Sequence, residues 1–228
     1  MVRELIWMRP VVEATTGRPA ELSREQITTA AISVADADGL AAVTMRRVAS
    51  ELGSGAASLY RHLATRDDLL DLMIDQAYGQ YEPAPDTGDW RAELVADYMQ
   101  RLRLLRSRPW LVDAIALRPG LGPQVVRIVE SILARMASHP APASAKMEVV
   151  GTLTGIVQMH AQQERRGGVL DEDFAVAQAR YLRHMTSDGS YPHLAAALEG
   201  VGLQPGDSID DRLARLLRLN LDGLLPET

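Results

Sequence analysis

The stretch GSGAASLYRHLATRDDLL, residues 53–70, decides the fold of this chain. It begins with two glycines that flank a serine, continues with a run of small residues, and then places Leu-Tyr-Arg-His in a row. Leu59 and Leu63 are four positions apart and therefore share one face of a helix. The pattern predicts a short helix over residues 56–63, with leucines on its inner face and polar side chains on its outer face.

Two helices are predicted before this stretch. Ser23 and Gln26 form a capping-box pattern at the start of the first helix, and Gly39 can adopt the left-handed conformation that ends it. Thr44 can cap the second helix, which Gly53 ends. Two helices followed by a third behind a tight glycine-containing turn indicate a helix-turn-helix.

The remainder of the sequence shows helical patterns throughout. Thr65 and Asp68 repeat the capping pattern and open a fourth helix that we expect to reach about Tyr81. Beyond a connection at residues 82–88, every long segment has helical periodicity and no strand alternation. We therefore predict an all-α chain, with an N-terminal three-helix helix-turn-helix domain and a larger C-terminal helical bundle.

The predicted domain boundaries follow the breaks in these patterns. Residues 1–22 contain prolines and a glycine without helical periodicity, so we expect a flexible arm. Residues 23–81 form the helix-turn-helix domain together with its linking fourth helix. Residues 89–228 form the C-terminal domain.

The composition excludes several classes of protein. The chain has 228 residues, a net charge of -6 and no cysteine, which removes disulfides, thiolate nucleophiles and cysteine zinc sites. It has no glycine-rich phosphate loop, no His-Glu-x-x-His and no Gly-x-Ser-x-Gly, so we predict neither an enzyme nor a cofactor. No segment approaches the roughly 18 apolar residues of a membrane span. We expect a cytoplasmic protein with no membrane partner.

The outer face of the third helix has the chemistry of a DNA-binding surface. The major groove is about 12 Å wide, and small residues let the first turn of a helix approach the bases closely. Tyr60 and His62 carry donors that suit phosphate oxygens, and Arg61 suits either phosphate or guanine. Thr44 and Arg46 lie at the start of the second helix, where free backbone N–H groups favour a phosphate.

Residues 23–81 resemble the DNA-binding domain of the tetracycline-repressor (TetR) family. The residues that carry the resemblance are Thr44-Met45-Arg46-Arg47-Val48-Ala49 with Leu52-Gly53, Ser58-Leu59-Tyr60-Arg61-His62, and Arg66-Asp67-Asp68-Leu69-Leu70. The remainder shares only the all-helical layout and the length of that family. The resemblance implies a ligand-responsive DNA-binding transcriptional regulator, most often a repressor, whose C-terminal domain binds the ligand and dimerises.

The resemblance also implies roles for individual residues. Arg46 contacts DNA from the second helix, and Ala57 and Ser58 face the bases. Tyr60 and His62 hold phosphates, while Arg66 begins the fourth helix beside the DNA backbone. The full set of predicted DNA-binding residues is Thr44, Arg46, Ala57, Ser58, Tyr60, Arg61, His62 and Arg66, with Arg18 added from the arm.

Two features of the predicted DNA surface leave alternatives open. Ala56 and Ala57 provide no hydrogen bond to bases, although alanine can contact a thymine methyl group. The pair of alanines also motivates an alternative, a helical protein-interaction module without DNA binding. Arg18 can enter an adjacent minor groove or belong to a disordered tail.

The C-terminal half carries two helices suited to a partner. The segment 144–166 is largely apolar and contains Gly151 and Gly155, which permit close backbone approach. The resemblance implies that this helix and the final helix pair across a two-fold axis, although core packing also explains their leucines. A homodimer would set two reading helices about 34 Å apart and predicts a palindromic operator.

We expect polar and aromatic side chains of this half to bind an unidentified small-molecule effector. His160 and Glu164 are i, i+4 and share a face, which suits a polar ligand, a metal or simply a surface hydrogen bond. We predict no metal site. The predicted ligand-binding residues are Tyr98, Met99, Trp110, Met159, His160 and Gln163.

Overall fold

A computed structural model of the chain describes residues 4–10, 22–167, 172–200 and 208–226. Arg18 and most of the predicted arm lie outside the described residues. The helices are α1 Arg24–Asp38, α2 Met45–Glu51, α3 Ala56–Leu59, α4 Arg66–Tyr78, α5 Trp90–Ser107, α6 Pro109–Leu117, α7 Pro123–Arg135, α8 Ala143–Gly167, α9 Glu172–Thr186, α10 Pro192–Gly200 and α11 Ile209–Leu224. Short 3-10 segments at Ile6–Met8 and Leu40–Ala42 complete the pattern, and the described residues contain no strand.

The predicted helix starts are confirmed by their caps. The Ser23 side chain accepts a hydrogen bond from the Gln26 backbone N–H at 3.1 Å, and the Gln26 side-chain oxygen accepts one from the Ser23 backbone N–H at 2.9 Å. Thr65 opens α4 with the same reciprocal arrangement. Thr44 caps α2 by accepting from the backbone N–H of Arg47 at 3.1 Å. These bonds satisfy backbone donors that have no partner within the first turn of a helix.

Two predicted helix ends are wrong. The third helix ends at Leu59 instead of Leu63, because the amides of Arg61 and His62 bond three residues back and tighten the chain into turns. The fourth helix ends at Tyr78 instead of Tyr81, since the Tyr81 amide likewise donates to the Tyr78 carbonyl. Tyr81 nevertheless stays buried, so the sequence pattern tracked burial beyond the end of the helix.

The two domains have a continuous hydrophobic core. In the first domain, α1 packs against α2 and α4, and α2 packs against α3. In the second domain, α5, α8 and α11 pack against one another around the buried side chains of Tyr98, Leu153 and Leu217. Helices α9 and α10 pack against each other. No helix in the described part of the chain has both the length and the apolar character that crossing a bilayer requires.

The prediction of a flexible arm is wrong for residues 4–10, which pack onto the first domain. Ile6 is fully buried. The guanidinium of Arg24 donates hydrogen bonds to the backbone carbonyls of Ile6, Arg9 and Pro10. Arg9 in turn forms a 2.9 Å ion pair with Asp68, the residue that completes the capping box of α4. Apolar burial and charge-assisted hydrogen bonds thus hold this segment in place.

The joint between the domains is built on one face of α4. Asp67, Asp71 and Asp75 are four residues apart and therefore line up along the helix. Arg118, directly after α6, forms ion pairs with the first two. Asp75 accepts hydrogen bonds from the backbone N–H groups of Gln124 and Val125 and so caps α7 from outside that helix.

Candidate nucleic-acid interface

Helix α3 has a buried back and an exposed front. Leu59 and Leu63 are fully buried against the first domain. Ala57 and Arg61 are exposed, and 53% of the Tyr60 side chain remains accessible. Burial of the two leucines fixes which face of the short helix points outward, because a rotation of the helix would expose them to solvent.

Helix α2 packs against α3, and its N-terminal end is exposed. Thr44 and Arg46 are exposed, and neither the cap bond of Thr44 nor any ion pair within the described residues covers the Arg46 guanidinium. Arg47 differs, because it pairs with Asp38 at 3.2 Å and with Glu51 at 3.9 Å. Of the two adjacent arginines, Arg46 is therefore the one available to an external anion.

Ser58 and Arg61 are coupled to each other on the front of α3. The Arg61 guanidinium donates a 2.9 Å hydrogen bond to the Ser58 hydroxyl. This bond holds the arginine across the turn that carries the small residues. The structure thus brings together the six predicted contacts on α2 and α3 that remain exposed or partly exposed: Thr44, Arg46, Ala57, Ser58, Tyr60 and Arg61.

The predicted phosphate contact of His62 has no support in the structure. Its side chain is only 4% exposed, and a ring with so little accessible surface cannot reach the DNA backbone in this conformation. The turn that follows Leu59 directs His62 inward, where its backbone carbonyl accepts a hydrogen bond from Arg24. The helical pattern did not show this, because the helix itself ends before His62.

Arg66 makes contacts inside the protein that its predicted role did not include. Its Nε donates to the carbonyl of Val43 at 2.8 Å, and an Nη atom donates to the carbonyl of Leu40 at 3.3 Å. These bonds fasten the start of α4 to the connection between α1 and α2. Arg66 thus helps to hold α2 in place relative to α4. Its partners lie too far away in sequence for any local pattern to reveal them.

The structure does not bring the six predicted ligand-binding residues into one cavity. Tyr98 is fully buried in the C-terminal core, with Met99 next to it only partly buried. Trp110 lines a cleft of about 610 Å³ between α1 and α6, where its indole donates to Asp36. The remaining three lie on α8: His160 is partly buried, and Met159 and Gln163 are exposed.

His160 and Glu164 belong to an ion-pair network on the outside of the C-terminal domain. Their side chains approach to 3.2 Å, and Arg106 bridges Glu164 on α8 to Asp210 on α11. The hydrogen bonds from Arg106 lower the pKa of both carboxyl groups below the ordinary range. Among the described residues there is no group of three or more side chains that could hold a metal ion.

A second set of charged groups is buried in the C-terminal core. Arg135 of α7 pairs with Glu93 and, at 3.0 Å, with Asp97 of α5. Arg101, one turn after Asp97, donates a 3.0 Å hydrogen bond to the hydroxyl of Thr154 on α8. Sequence periodicity could not identify Arg101 as buried, since arginine on an amphipathic helix is usually solvated.

Comparison with known proteins decides the family. Residues 27–73 match the family model of bacterial regulatory proteins of the tetR family, and residues 82–227 match that of the tetracyclin repressor-like C-terminal domain. The chain belongs to the TetR family of bacterial regulatory proteins. Its members are transcriptional regulators, so the predicted TetR resemblance, the all-α fold and the function in DNA-binding transcriptional regulation are confirmed.

Relatives within the TetR family cover nearly the whole chain. The HTH-type transcriptional repressor DrrR1 of Streptomyces coeruleorubidus is 36% identical over 97% of this chain and 83% of its own length. An HTH-type transcriptional regulator of Saccharopolyspora erythraea is 29% identical over 77% of this chain and 78% of its own.

Solved TetR-family structures show the same fold. Apo ActR of Streptomyces coelicolor superposes with a TM-score of 0.78 at 27% identity, over 91% of this chain and 97% of ActR. ActR in complex with actinorhodin gives a TM-score of 0.77 at 29% identity, over 90% of this chain and 98% of ActR.

Proposed function

We propose that this protein is a repressor that binds a palindromic operator as a homodimer and leaves it when a small-molecule effector binds. The observation that carries the proposal is the outward face of α3 and of the turn after it. Ala57, Tyr60 and Arg61 are exposed there, while Leu59 and Leu63 are fully buried behind them. A helix exposed in this way can place its N-terminal edge in the major groove while its domain stays folded. Because its target is bacterial DNA, we expect the protein to act in the cytoplasm.

The exposed residues divide by the kind of DNA contact they can make. Tyr60 and Thr44 offer hydroxyl groups to phosphate oxygens, which fixes the position of the domain on the duplex. Arg46 and Arg61 are the side chains able to donate two hydrogen bonds to guanine. Ala57 offers only a methyl contact, so most of the base discrimination falls to the arginines.

The homodimer is supported by an apolar surface that the single chain leaves uncovered. Gly151 and Gly155 of α8 have room around them, since a methyl group added at either would meet nothing within 4 Å. Exposed apolar side chains on neighbouring helices are typical of a protein interface, and a second copy would cover them isologously. The large apolar side chains exposed on α8 and α11 are Met147, Met159, Ile209, Leu216 and Leu219.

The hairpin of α9 and α10 adds to this uncovered surface. Val176 and Tyr181 on α9, and Leu194 on α10, are exposed. Within the described residues the two helices pack mainly on each other. A partner chain beside α8 and α11 gives them a surface to pack on.

Release by an effector follows from the position of α4, which links the DNA-binding domain to the C-terminal domain. A ligand that prefers one orientation of the C-terminal domain moves α2 and α3 together with that domain. DNA affinity can then fall at most by the ratio of the ligand's affinities for the DNA-free and the DNA-binding conformation. ActR, which this chain resembles at 29% identity, has been solved with actinorhodin bound, and this supports a ligand site in the C-terminal domain.

Selection of bound duplexes from a random pool tests the proposal. We expect enriched sequences with two inverted half-sites whose centres lie about one helical turn apart. Arg46→Ala, run in parallel, is expected to lose preference at one base of each half-site, whereas Arg47→Ala keeps it because Arg47 is already paired to Asp38 and Glu51. A pool without enrichment would instead favour a helical interaction module.

A further inference from the structure

Residues 4–10, here called the N-terminal strap, touch both domains. Ile6 is fully buried, and the short 3-10 turn Ile6–Met8 packs on α4 of the first domain. Trp7, the next residue, reaches the second domain. A methyl group added at Gly122 would lie 2.7 Å from Cζ2 of the Trp7 ring, so the ring packs directly against the residue that precedes α7. The strap is thus a second connection between the domains, beside α4 itself.

Trp7 packs at the point where α7 is fixed to α4. Gly122 is the N-cap residue of α7, and the Asp75 carboxylate of α4 accepts hydrogen bonds from the backbone N–H groups of Gln124 and Val125. Trp7, Asp75 and Gln124 line one cleft of about 490 Å³. A displacement of the start of α7 therefore moves the surface on which the Trp7 ring rests.

Arg9 of the strap lies beside the chain that joins α3 to α4. Its Nη1 donates to Asp68 Oδ2 at 2.9 Å. The same oxygen accepts hydrogen bonds from the backbone N–H of Ala64 at 2.9 Å and from that of Thr65 at 3.0 Å. Only 1% of the Asp68 side chain is exposed, so the cation of Arg9 compensates a buried negative charge. Arg9 therefore helps to hold residues 64 and 65 in place.

Arg24 joins the strap to the turn that follows α3. Its Nε donates to the His62 carbonyl at 3.3 Å, and its two Nη atoms donate to three backbone carbonyls of the strap. A guanidinium carries five N–H donors in a fixed plane, so one side chain of α1 connects both segments. Tyr60 and Arg61 lie in the same turn as His62. The position of the strap therefore bears on two of the predicted DNA contacts.

We propose that the N-terminal strap positions the turn after α3 for DNA binding and passes to it any displacement of the start of α7. Trp7 and Arg9 are its positioning residues: Trp7 contacts α7, and Arg9 holds the chain that follows the turn. Only Met8 separates them, so little chain is available to absorb a displacement of Trp7 before it reaches Arg9. The use of this link by an effector rests on the proposed function, whereas the positioning itself does not.

The strap spans the same stretch of α4 that separates the joint from the first turn of that helix. Trp7 lies near Asp75, and Arg9 binds Asp68. These two aspartates are seven residues apart, which is about 10 Å along a helix. The strap therefore links the α7 end of this stretch to its DNA-facing end by contacts that lie outside the helix.

Amide hydrogen exchange of the full-length chain, without DNA or effector, tests the positioning. Arg9→Met is expected to speed exchange of the Ala64 and Thr65 amides roughly tenfold, because the buried Asp68 charge then favours local opening to water. Arg9→Lys should retain part of the protection, since lysine keeps the charge. Arg103→Met removes the same charge from the exposed face of α5 and is expected to change nothing.

A double-mutant cycle tests the link from α7. Trp7→Ala is expected to speed exchange of the same two amides severalfold in the wild type, but much less in an Arg9→Met background, because the strap is already cut there. Trp7→Phe keeps a ring against Gly122 and should restore most of the protection. Met8→Ala is the control, since 73% of Met8 is exposed.

Operator affinity and the extent of the exchange effect complete the test. Fluorescence anisotropy is expected to show Arg9→Met and Trp7→Ala each binding the selected operator severalfold more weakly than the wild type. The proposal is overturned by unchanged exchange in Arg9→Met, by equal Trp7→Ala effects in both backgrounds, or by faster exchange with unchanged operator affinity. Equally faster exchange at the buried Leu153 of α8 would show general destabilisation and also overturn it.

The exchange measurements and the duplex selection fail independently. A chain that selects palindromic DNA but shows no response of the Ala64 and Thr65 amides keeps the proposed function and loses the strap. A chain that shows the expected exchange but enriches no duplex keeps the link between α7 and the turn and loses the repressor.

Discussion

Arg118 donates one hydrogen bond to each carboxylate oxygen of Asp71, and both bonds are 2.8 Å long. This two-pronged geometry is the strongest arrangement of an arginine with a carboxylate. It joins the end of α6 in the C-terminal domain to the middle of α4 in the DNA-binding domain. The joint is therefore held by directional bonds, so a displacement of α6 must move α4 or break them.

Arg118→Met is expected to lower the free energy of unfolding by about 1–3 kcal/mol, because it leaves the buried Asp71 without its arginine. Urea titration followed by circular dichroism measures the change. The control is Arg127→Met, which removes an exposed arginine whose hydrogen bonds within the described residues go only to Gln124, with an expected effect within about 0.5 kcal/mol. Equal losses in the two variants would show that the pair does not stabilise the joint.

Tyr60→Phe and His62→Gln are expected to act differently on DNA binding. Loss of the exposed Tyr60 hydroxyl removes a hydrogen bond to a phosphate, so affinity should fall by a similar factor on every DNA sequence. The slope of log K against log salt should stay the same, because the hydroxyl is neutral and releases no counter-ion. His62 is buried, so its replacement should lower the free energy of unfolding and leave the affinity of the folded protein unchanged. Fluorescence anisotropy on the selected operator measures the affinities, with Tyr181→Phe on the exposed face of α9 as the control. A loss of affinity in a folded His62→Gln protein would contradict the buried position of His62.

Asp75→Asn is expected to keep α7 capped, whereas Asp75→Ala should cost about 1–2 kcal/mol, since two backbone N–H groups lose their acceptor. Burial raises the pKa of Asp75 above its ordinary 3.8. A raised pKa stabilises the protonated form, so that contribution is present in acid and is lost as the pH rises through the raised value. Urea titrations at pH 3 and pH 7 should therefore show Asp75→Asn gaining on the wild type at the higher pH. A gain at pH 3 alone would contradict this sign.

Gly122→Ala is expected to destabilise the joint, and Gly120→Ala to leave it intact. A methyl group at Gly122 would lie 2.2 Å from Asp75 Oδ1 and 2.7 Å from the Trp7 ring, so the cap of α7 or the N-terminal segment must shift. At Gly120 the nearest atom, in Asp71, is 3.7 Å away, an ordinary contact. Thermal unfolding should show a drop of several degrees for the first variant only. Equal melting temperatures would mean that the space at Gly122 is not required.

The sequence predicted the features that depend on local bonding. The capping boxes of Ser23 and Thr65 need only a partner three residues away, so the pattern specifies them completely. The outer face of α3 was also predictable, because Leu59 must be buried and Tyr60, the next residue, must then point elsewhere.

The features that the sequence did not predict depend on contacts between distant segments. Arg66 binds carbonyls 23 and 26 residues upstream, and Arg101 reaches a hydroxyl 53 residues downstream. An arginine on a helix has the same local pattern whether it reaches solvent, DNA or the protein interior. The sequence did not predict the inward position of His62 for a related reason, because His62 lies in a turn, where helical periodicity no longer applies.

The docking of residues 4–10 bears on how the DNA-binding half should be handled as a recombinant fragment. A fragment trimmed to begin at Ser23 would remove Ile6 from the core and strip Arg24 of three carbonyl acceptors. Such a fragment would present a hole, and the Arg24 guanidinium would keep only its bond to the His62 carbonyl. Affinity tags and fluorescent labels are therefore better attached at the C-terminus than next to residues 4–10.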